Sequence, residues 1–391
     1  MADAGVRGFG YVTSRWGEPT QTFVRREASA IAAAGPRVAA WSLKAPVPAS
    51  GSVIATHLGV GRVATGVARS ILTRPRDTLR VLSSVVRHSA PRNLGAQLAA
   101  ALIGIAWAGH RMHVDHLHCH FGWVAVTSTW AACSLTGTPY SVTLHAFDIH
   151  TERLQDRFTP VPLRAAKKVF CISELDAELV ATRWGIPTGV SRMGVPRSWV
   201  QTPRVGADVA PRSSDLIVAV GSLSTKKGHD DLIRAVAAAP GWRLDVFGAG
   251  PEHEPLQALV TELGLVGRVR LLGSAPEPDV RRSLELAAVS ALACRETRGG
   301  DRDGIPVALI EAMACGAPVV TTRLGGIPEL VGDAGMLVDA DDVPALTVAL
   351  TRMQDPAERD RLAAAAQDVV LLGWTVEANA AALLQSIGWP P

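Results

Sequence analysis

One segment of this chain indicates both its fold and the kind of ligand it binds: Arg302-Asp303-Gly304-Ile305-Pro306-Val307-Ala308-Leu309-Ile310-Glu311. The apolar run at 289–293, shortly before it, predicts a buried strand. Gly304 favours a loop, and Pro306 is a preferred first residue of a helix. A strand, a glycine-bearing loop and a helix N-terminus together form an anion site, because free N–H groups and the positive end of the helix dipole face the ligand.

Two acids bracket this segment: Asp303 precedes the predicted helix and Glu311 lies inside it. Eight helical positions span roughly 12 Å, which is too far for the two carboxylates to share one proton or one metal ion. They could instead bind the two ends of an elongated ligand, such as the sugar and the ribose of a nucleotide sugar. A solvated acid and a surface glutamate are the alternative interpretation, and this segment alone leaves both open.

The length of 391 residues favours two domains, since single hydrophobic cores rarely grow so large. A hydrophobic fraction of 48% with only 5% aromatic residues is typical of a soluble α/β protein. The net charge of +3 gives no reason to expect a nucleic-acid partner. The five cysteines are scattered and odd in number, which indicates buried thiols in a reducing compartment.

No signal peptide and no apolar run of transmembrane length is apparent, so we expect a cytoplasmic protein, with an oligomeric state that the sequence leaves unknown. One stretch is markedly basic and has Asp77 as its only acid. It indicates either peripheral contact with a membrane or another anionic surface, or a solvated helical face. Its arginines are Arg62, Arg69, Arg74, Arg76, Arg80, Arg87 and Arg92.

In the first half of the chain, predicted strands and helices alternate as in a βαβ fold. Strands are predicted at 6–13 and 38–43, separated by a loop at 14–20 and a helix at 21–34, and residues 59–110 are predicted to be helical. His116, His118 and His120 alternate along a further strand, which puts them on one face and Cys119 on the other. We predict no metal, because no further ligand pair at metal spacing is apparent. We instead place His120 near a ligand.

His145 follows the predicted strand Tyr140–Leu144, at the edge where open α/β sheets bind ligands. A packed or capping histidine is the alternative. Another strand is predicted at 168–172, and Ser173 is suited to cap the helix after it. The proline-containing stretch 196–214 is the predicted domain boundary.

The second half repeats the α/β pattern. The strand Leu216–Val220 leads into a loop with Lys226, Lys227 and Gly228, and a helix is predicted at 229–239. A lysine pair at a strand-to-helix turn is suited to bind phosphate, although the Walker pattern is absent. Strands at 244–247, 269–272, 289–293 and 318–321 complete a parallel sheet, and a late helix at 375–387 is expected to cross back onto the first domain.

These residues together make the chain resemble the retaining glycosyltransferases of family four. The motifs that carry the resemblance are Gly221…Lys227-Gly228, Phe247-Gly248-Ala249-Gly250, Asp303-Gly304-Ile305-Pro306…Glu311-Ala312-Met313-Ala314-Cys315-Gly316 and Gly325-Gly326-Ile327-Pro328-Glu329. The amino half is similar to the exopolysaccharide (colanic-acid type) subgroup through Glu18-Pro19-Thr20-Gln21-Thr22-Phe23, His118-Cys119-His120-Phe121-Gly122 and Thr143-Leu144-His145-Ala146-Phe147-Asp148-Ile149.

The resemblance implies an α/β protein of GT-B fold, with two Rossmann-like doubly wound domains that face each other across a cleft. The acceptor-side domain would comprise 1–195 with the crossover helix at 373–391, and the nucleotide-sugar domain 196–372. Lys227 would bind the donor diphosphate, Glu311 the ribose, and Asp303 the donor sugar. His145 would lie near the sugar and the acceptor.

The full set of residues implied by the resemblance comprises three groups. The catalytic group is His145, Asp303, Glu311 and Lys227; the donor-binding group is Gly221, Ser222, Lys227, Gly248, Gly250, Gly273, Asp303, Gly304, Ile305, Pro306 and Glu311; the acceptor-side group is Glu18, Thr22, His120 and Asp148.

The predicted reaction moves a hexose from a UDP- or GDP-sugar to a hydroxyl of a glycan, glycolipid or small metabolite, with retention and with neither metal nor cofactor. Asp303 replaces the family's usual glutamate and Ser222 a frequent arginine. A catalytically weakened nucleotide-sugar-binding protein is therefore one alternative, and an enzyme of natural-product biosynthesis is another. A nicotinamide-dependent oxidoreductase is disfavoured, because Gly248-Ala249-Gly250 lacks the third glycine of the dinucleotide fingerprint.

Overall fold

The computed structural model describes residues 8–18, 21–46, 53, 55–110, 112–151, 157–200 and 212–390. Residues 6 and 7 of the first predicted strand, Pro19 and Thr20 of the loop after it, and most of the predicted domain boundary lie outside these ranges. The chain forms two compact units, Met1–Arg192 with Glu377–Pro391, and Met193–Val376. The predicted boundaries at 195 and 372 lie close to these.

The first unit contains a seven-stranded parallel sheet in the order β3-β2-β1-β4-β5-β6-β7. Its strands are β1 (Gly8–Thr13), β2 (Arg37–Ser42), β3 (Ala55–Thr56), β4 (His116–His120), β5 (Tyr140–Leu144), β6 (Lys168–Cys171) and β7 (Thr188–Val190). Its helices are α1 (Thr22–Ala33), α2 (Val60–Thr73), α3 (Pro75–His88), α4 (Pro91–Gly109), α5 (Val124–Thr136), α6 (Ala146–His150), α7 (Pro160–Ala165) and α8 (Glu174–Trp184).

The second unit contains a six-stranded parallel sheet in the order β10-β9-β8-β11-β12-β13. Its strands are β8 (Leu216–Val220), β9 (Arg243–Phe247), β10 (Val269–Gly273), β11 (Val289–Leu292), β12 (Val319–Thr322) and β13 (Gly335–Val338). Its helices are α9 (His229–Ala238), α10 (His253–Glu262), α11 (Glu277–Leu286), α12 (Val307–Ala314), α13 (Ile327–Val331), α14 (Val343–Arg352) and α15 (Pro356–Gly373). The two parallel sheets confirm the predicted pair of Rossmann-like domains.

The buried strands form where apolar residues run without interruption, as parallel strands covered on both faces require. In β8, Ile217, Val218 and Ala219 are inaccessible to solvent. In β1, Gly10 lies where a Cβ atom would come within 2.4 Å of Leu117 and 2.7 Å of Trp41. A side chain at this position would therefore require Leu117 and Trp41 to shift.

Close backbone contacts fix the second sheet at its centre. Gly228, which ends the loop after β8, has a φ of 61°, and a Cβ there would lie 1.8 Å from the carbonyl oxygen of Ala293. Glycine is required because both the conformation and the contact exclude a side chain. The loop after β8 is thus held directly against the end of β11.

The last helix, α16 (Val376–Ser386), belongs largely to the first unit, as the chain returns there at Glu377. The ring of Trp389 packs edge-on against Phe9 of β1, with ring centroids 5.4 Å apart. No described helix combines the length and the apolar character needed to span a membrane.

Several elements differ from the sequence predictions. Strands β3, β7 and β13 and helix α15 were not predicted, and α12 begins at Val307, with Pro306 as its N-cap residue. The predicted start of this helix at Pro306 was therefore wrong by one residue. Since Asp303 to Pro306 are not helical, the predicted 12 Å spacing of the two acids does not apply.

Helix α4 offers a matched test of packing. A Cβ on Gly104 would lie 2.1 Å from the carbonyl oxygen of Ser128 in α5, whereas a Cβ on Gly95 of the same helix meets nothing within 4 Å. We expect Gly104→Ala to destabilise the first unit by about 2 kcal/mol through overpacking. Gly95→Ala should stabilise it by about 0.5–1 kcal/mol through helix propensity. Thermal unfolding measures both, and an equal effect of the two substitutions would contradict the packing argument.

Candidate functional site

The second unit brings two charged loops together at the point where its strand order reverses. The loop after β8 carries Lys226 and Lys227, and the loop after β11 carries Asp301 and Asp303. Lys227 Nζ lies 2.6 Å from Asp303 Oδ2, and Lys226 Nζ lies 3.2 Å from Asp301 and 3.6 Å from Asp303. These four side chains, the lysine–aspartate cluster, occupy the edge where open α/β sheets bind ligands.

The inner pair of the cluster is ionised. Burial alone would raise the pKa of Asp303, but the ammonium groups of Lys227 and Lys226 outweigh it and lower that pKa. Burial alone would lower the pKa of Lys227, and Asp303 reverses this effect and raises it. Each charge therefore depends on the other, and Cys294 adds a weak Sγ contact to Asp303 Oδ2 at 3.6 Å.

Arg295, in the loop after β11, holds the lysine loop in place. Its backbone N–H donates to the carbonyl of Lys226 at 3.0 Å, and its guanidinium donates to the carbonyl of Thr225 at 3.0 Å. The same guanidinium pairs with Asp230 and Asp231 at the start of α9. The positions of the two lysines are thus set by backbone contacts as well as by their own charges.

The loop Gly304-Ile305-Pro306 is buried and leads into α12. Gly304 accepts a hydrogen bond from the N–H of Gly326 at 3.1 Å, which ties it to the glycine pair before α13. Pro306 has no N–H, so any backbone donors at the start of α12 come from its neighbours. Glu311 is half-buried in the second turn of α12.

The remaining predicted donor residues lie in the loops after β8 and β9 and, for Gly273, at the end of β10. Ser222 Oγ lies 3.1 Å from Ser224 Oγ. A Cβ on Gly248 would lie 1.8 Å from the carbonyl oxygen of Gly221, and a Cβ on Gly250 would lie 2.3 Å from that of Leu223. Two of these glycines are therefore required by the packing of one loop against another.

The N–H of Gly248 donates to the carbonyl of Gly273 at 2.9 Å, and Gly273 has a φ of 71°. This hydrogen bond thus joins the loop after β9 to the end of β10. Together with the loop after β8, they form a continuous backbone layer next to the lysine–aspartate cluster.

In the first unit, His118, His120 and His145 lie together with Glu27 of α1. His120 Nε2 is 3.1 Å from Glu27 Oε1, and His120 Nδ1 is 3.2 Å from His145 Nε2. Tyr11 donates its hydroxyl to the same Glu27 oxygen at 2.8 Å. The proximity of His120 and His145 was not predicted, and it follows from the adjacency of β4 and β5.

Burial keeps His145 and His118 neutral. It lowers the pKa of His145 well below its usual range, and His120 lowers that pKa further. It also lowers the pKa of His118, with smaller contributions from His120, His116 and His145. The ring nitrogens of His118 lie close to hydroxyl groups, with Ser141 Oγ at 2.7 Å and Thr143 Oγ1 at 3.1 Å, and Glu27 Oε1 is 3.9 Å from His118 Nε2.

Glu27, His118 and His120 also have the donor set of a metal site. One ligand atom from each lies within 4.8 Å of the others. Two imidazoles with one carboxylate suit a transition-metal ion. The sequence argument predicted no metal because no further ligand pair at metal spacing is apparent, and the structure brings one further ligand, Glu27, to two of the histidines. The prediction that the protein needs no metal stays a prediction.

The other predicted acceptor-side residues have different surroundings. Asp148 is buried and accepts a hydrogen bond from the N–H of His145 at 2.9 Å, which anchors the start of α6. Burial raises the pKa of Asp148 to about 7, although hydrogen bonds from the N–H groups of His145 and Gly122 oppose this. Glu18 lies 3.8 Å from Arg15, and Thr22 is the first residue of α1.

Sequence reasoning missed Glu27, and a signal was present. Glu27 falls between Phe23 and Ile31 at intervals of four, on the buried face of an amphipathic helix. A carboxylate on such a face requires partners, because an unpaired buried charge is costly. Asp301 and Arg295 were also missed, and they lie in a loop with no regular periodicity.

A comparison with known families matches residues 214–356 to the model described as "Glycosyl transferases group 1". A D-inositol 3-phosphate glycosyltransferase of Thermomonospora curvata is 30% identical over 325 residues, 72% of this chain and 74% of its own length. A GDP-mannose-dependent alpha-(1-6)-phosphatidylinositol monomannoside mannosyltransferase of Mycolicibacterium smegmatis is 34% identical over 179 residues, 44% of this chain and 47% of its own length. The colanic acid biosynthesis glycosyltransferase WcaL of Escherichia coli is 30% identical over 248 residues, 59% of both chains. The last two alignments thus span about half to three fifths of these relatives.

Solved structures share the fold. Sucrose-phosphate synthase from Thermosynechococcus elongatus superposes with a TM-score of 0.74 over 97% of this chain and 98% of its own, at 21% identity. Anabaena HepE in complex with UDP and glucose gives 0.70 over 98% and 99%, at 17% identity. The likeness confirms the predicted GT-B class.

The lysine–aspartate cluster generates a stability prediction. Asp303→Asn leaves the Lys227 ammonium buried without its counter-charge, so we expect a loss of about 3 kcal/mol at pH 7. Asp301→Asn is the matched control and should cost about 0.5 kcal/mol or less, because its pair with Lys226 is more exposed.

The pH dependence of this difference has a definite sign. The Asp303 carboxyl has a lowered pKa in the folded state. Its contribution is therefore present above the unfolded pKa of about 4 and disappears as the pH falls through the folded value. Denaturant unfolding at pH 7 and at low pH measures this, and an Asp303→Asn cost that persists undiminished at low pH would contradict the ion pair.

Proposed function

The chain belongs to the group 1 glycosyltransferases, and we propose that it transfers a hexose from a UDP- or GDP-sugar to a hydroxyl group with retention of configuration. The observation that carries the proposal is the contact of Lys227 with Asp303, 2.6 Å apart where β8 and β11 diverge. A cation and an acid at this position address the two ends of the bond that breaks, because the cation suits the diphosphate and the acid suits the sugar hydroxyls.

The role of each group in the proposed reaction follows from where negative charge develops on the leaving diphosphate. The bond between the anomeric carbon and the diphosphate oxygen breaks, and a bond to the acceptor oxygen forms on the same face of the sugar. The acceptor proton passes to an oxygen of the leaving phosphate. Lys227 and the N-terminus of α12 stabilise the growing negative charge of the leaving group, which lowers the barrier.

The ammonium group of Lys227 can serve both partners at once. It has three N–H donors, and Asp303 engages it from one side. A diphosphate can take another of these donors without displacing the carboxylate. Glu311 is assigned to the ribose hydroxyls, and His145 with the acceptor-side residues to the acceptor. No protein nucleophile and no metal is required in this scheme.

The acceptor is proposed to be a glycan or glycolipid, in keeping with the relatives named for colanic acid and phosphatidylinositol mannoside synthesis. A small metabolite is the second candidate, since one relative is named as a D-inositol 3-phosphate glycosyltransferase. A nucleotide-sugar-binding protein without transfer activity remains the rival from another class.

A lipid-linked acceptor is also favoured by the outer face of α3. This face exposes Arg76, Leu79, Arg80, Val86 and Arg87, while Thr78, Val81 and Val85 are buried beneath it. Leu79 is 67% and Val86 56% exposed. Apolar side chains between arginines are suited to an anionic membrane surface, and we propose peripheral binding there.

Incubation with UDP-, GDP- and ADP-sugars and a panel of acceptors tests the transfer. We expect one donor to raise the melting temperature and to yield a glycosylated product, with proton NMR showing the anomeric configuration of the donor. The product should form equally in EDTA. A donor that binds without hydrolysis or transfer would favour the binding-protein alternative, and an inverted product would exclude retention.

Glu311→Ala tests the donor assignment. Loss of the ribose contact should raise the donor KM by about tenfold or more and lower kcat/KM accordingly, because one hydrogen bond to a charged group contributes about 1.5–3 kcal/mol. Glu329→Ala serves as a control on the next helix, α13, and should leave the donor KM unchanged. Wild-type kinetics for Glu311→Ala would rule out its assigned role.

Flotation with lipid vesicles tests the membrane proposal. Arg76→Glu/Arg87→Glu should reduce binding to anionic vesicles by at least about tenfold, since each basic residue near such a surface contributes about 1 kcal/mol. Arg352→Glu/Arg361→Glu changes the net charge equally on α14 and α15 and should bind like the wild type. Equal losses in both double variants would indicate a non-specific charge effect.

A further inference from the structure

Arg295 contacts the loop after β8 at two consecutive peptide groups. Its backbone N–H donates to the carbonyl oxygen of Lys226 at 3.0 Å, and its side-chain Nε donates to the carbonyl oxygen of Thr225 at 3.0 Å. Both carbonyls belong to the short 3-10 turn Thr225–Lys227, from which the two lysine side chains extend. Arg295 therefore restrains the backbone that carries the two ammonium groups of the lysine–aspartate cluster.

Acidic side chains hold the other two nitrogens of the same guanidinium group. Nη1 lies 3.0 Å from Asp231 Oδ2, and Nη2 is paired with Asp230 Oδ1, both in the first turn of α9. Nη1 is also 3.5 Å from Asp341 Oδ1, in the loop before α14. Each nitrogen of the planar guanidinium group thus has an acceptor of its own, an arrangement that the single nitrogen of a lysine cannot reproduce.

The guanidinium group is ionised in this largely buried position, where its side chain is 17% exposed. Burial alone would lower the pKa of Arg295, but Asp230 and Asp231 outweigh burial and raise it. Burial and the neighbouring Asp230 raise the pKa of Asp231, and Arg295 opposes them. The guanidinium group is therefore anchored electrostatically to α9 while its Nε reaches the lysine loop.

The lysine loop is thus restrained at two places. Asp303 contacts the ammonium group of Lys227 at 2.6 Å, and Arg295 holds the backbone. A donor diphosphate would share the N–H donors of that ammonium group with Asp303. The contacts of Arg295 with the backbone carbonyls involve no atom of the lysine side chains, so a diphosphate would leave them in place. The restraint from Arg295 therefore applies to the ligand-bound state as well.

We propose that Arg295 is a positioning residue that holds the Thr225–Lys227 turn, so that Lys226 and Lys227 present their ammonium groups to the diphosphate of the donor. This inference rests on the proposed glycosyl transfer, in which Lys227 binds that diphosphate. A loop that is held in place before the ligand arrives binds more tightly, because less conformational freedom is lost on binding. Arg295 contacts neither the sugar nor the diphosphate in this scheme and acts only through the lysines.

The scarcity of lysine allows the two ammonium groups to be observed directly. The chain contains five lysines. The three outside the lysine loop are exposed in the first unit: Lys44, Lys167 and Lys168. Carbon-13 NMR of the full chain labelled at lysine Cε therefore includes three internal references. In Arg295→Met, which removes every side-chain donor, we expect the signals of Lys226 and Lys227 to move towards those of the exposed lysines, while the reference signals stay unchanged.

Calorimetric titration with UDP and with GDP measures the consequence for binding. Arg295→Met should raise the Kd of the nucleotide that binds the wild type by about tenfold or more, the loss expected for one hydrogen bond to a charged group. The fitted stoichiometry should remain that of the wild type. A merely structural role would lower the fraction of protein that binds and would leave the Kd of that fraction unchanged.

Arg234→Met is the matched control. Arg234 Nη1 lies 2.9 Å from Asp230 Oδ2 and 3.7 Å from Asp231 Oδ1, so the substitution removes a positive charge from the same two acids. Among the described residues, the polar contacts of Arg234 are with these acids and not with the lysine loop. We expect the wild-type lysine signals and the wild-type Kd.

Arg295→Lys is a second variant, which keeps the positive charge beside Asp230 and Asp231. Its single nitrogen cannot replace the three of the guanidinium group. We therefore expect it to fold like the wild type, to shift the signals of Lys226 and Lys227, and to raise the Kd. It decides the question by the same measurements where Arg295→Met does not fold.

Three results would overturn the positioning role of Arg295. They are unchanged signals of Lys226 and Lys227 in a folded Arg295 variant, a wild-type Kd in Arg295→Lys, and an equal rise of the Kd in Arg234→Met. Failure of the wild type to bind either nucleotide would count against the proposed function. The lysine signals would still report on Arg295 in that case, because they are recorded without a ligand.

Discussion

The reversal of strand order within each parallel sheet is the constraint on which both sets of candidate residues depend. In the second unit, β8 and β11 are neighbours, although β9 and β10 lie between them in the chain. Such a reversal of strand order is where open α/β sheets bind ligands, at the carboxyl ends of the strands. The lysines follow one strand and the aspartates the other. In the first unit, β1 and β4 have the same relation and bring Tyr11 beside His120.

The strands could be predicted from the sequence because parallel sheets demand apolar runs. Tyr140–Leu144 and Leu216–Val220 occur at the predicted bounds. Strand β13 (Gly335–Val338) could not be predicted in the same way, since it is half-buried throughout and lies at a sheet edge. Helix α15 had local signals in Asp355, whose carboxylate accepts from the N–H of Ala357, and in Pro356 at the first position.

Sequence motifs identified the candidate residues, but which of them contact one another could be determined only from the fold. Lys227 and Asp303 were each assigned to a ligand from sequence, and their contact with one another was not foreseen. Glu27 was missed altogether, since its partners His120 and Tyr11 lie on two different strands. Sequence periodicity reports which face of an element is buried, and it does not report which buried side chains meet. The contacts of a polar residue on a buried face can therefore be identified only from the structure.

Of the two departures from the family pattern, Asp303 belongs to the lysine–aspartate cluster, and Ser222 lies in the loop that carries both lysines. Lys226 and Lys227 face Asp301 and Asp303, so the charges of the lysine–aspartate cluster cancel. An arginine at position 222 would add a positive charge to the lysine loop, and the serine there adds none. A diphosphate next to this cluster would add negative charge, and the cluster, whose own charges sum to zero, would not offset that charge. In the proposed reaction, its binding would draw on the N-terminal dipole of α12 and on donors of Lys227 that Asp303 leaves available. In the proposed reaction, the short side chain of Asp303 would matter for the same reason, because it holds the Lys227 ammonium group 2.6 Å from its own carboxylate and so limits how far that group can reach towards the phosphate.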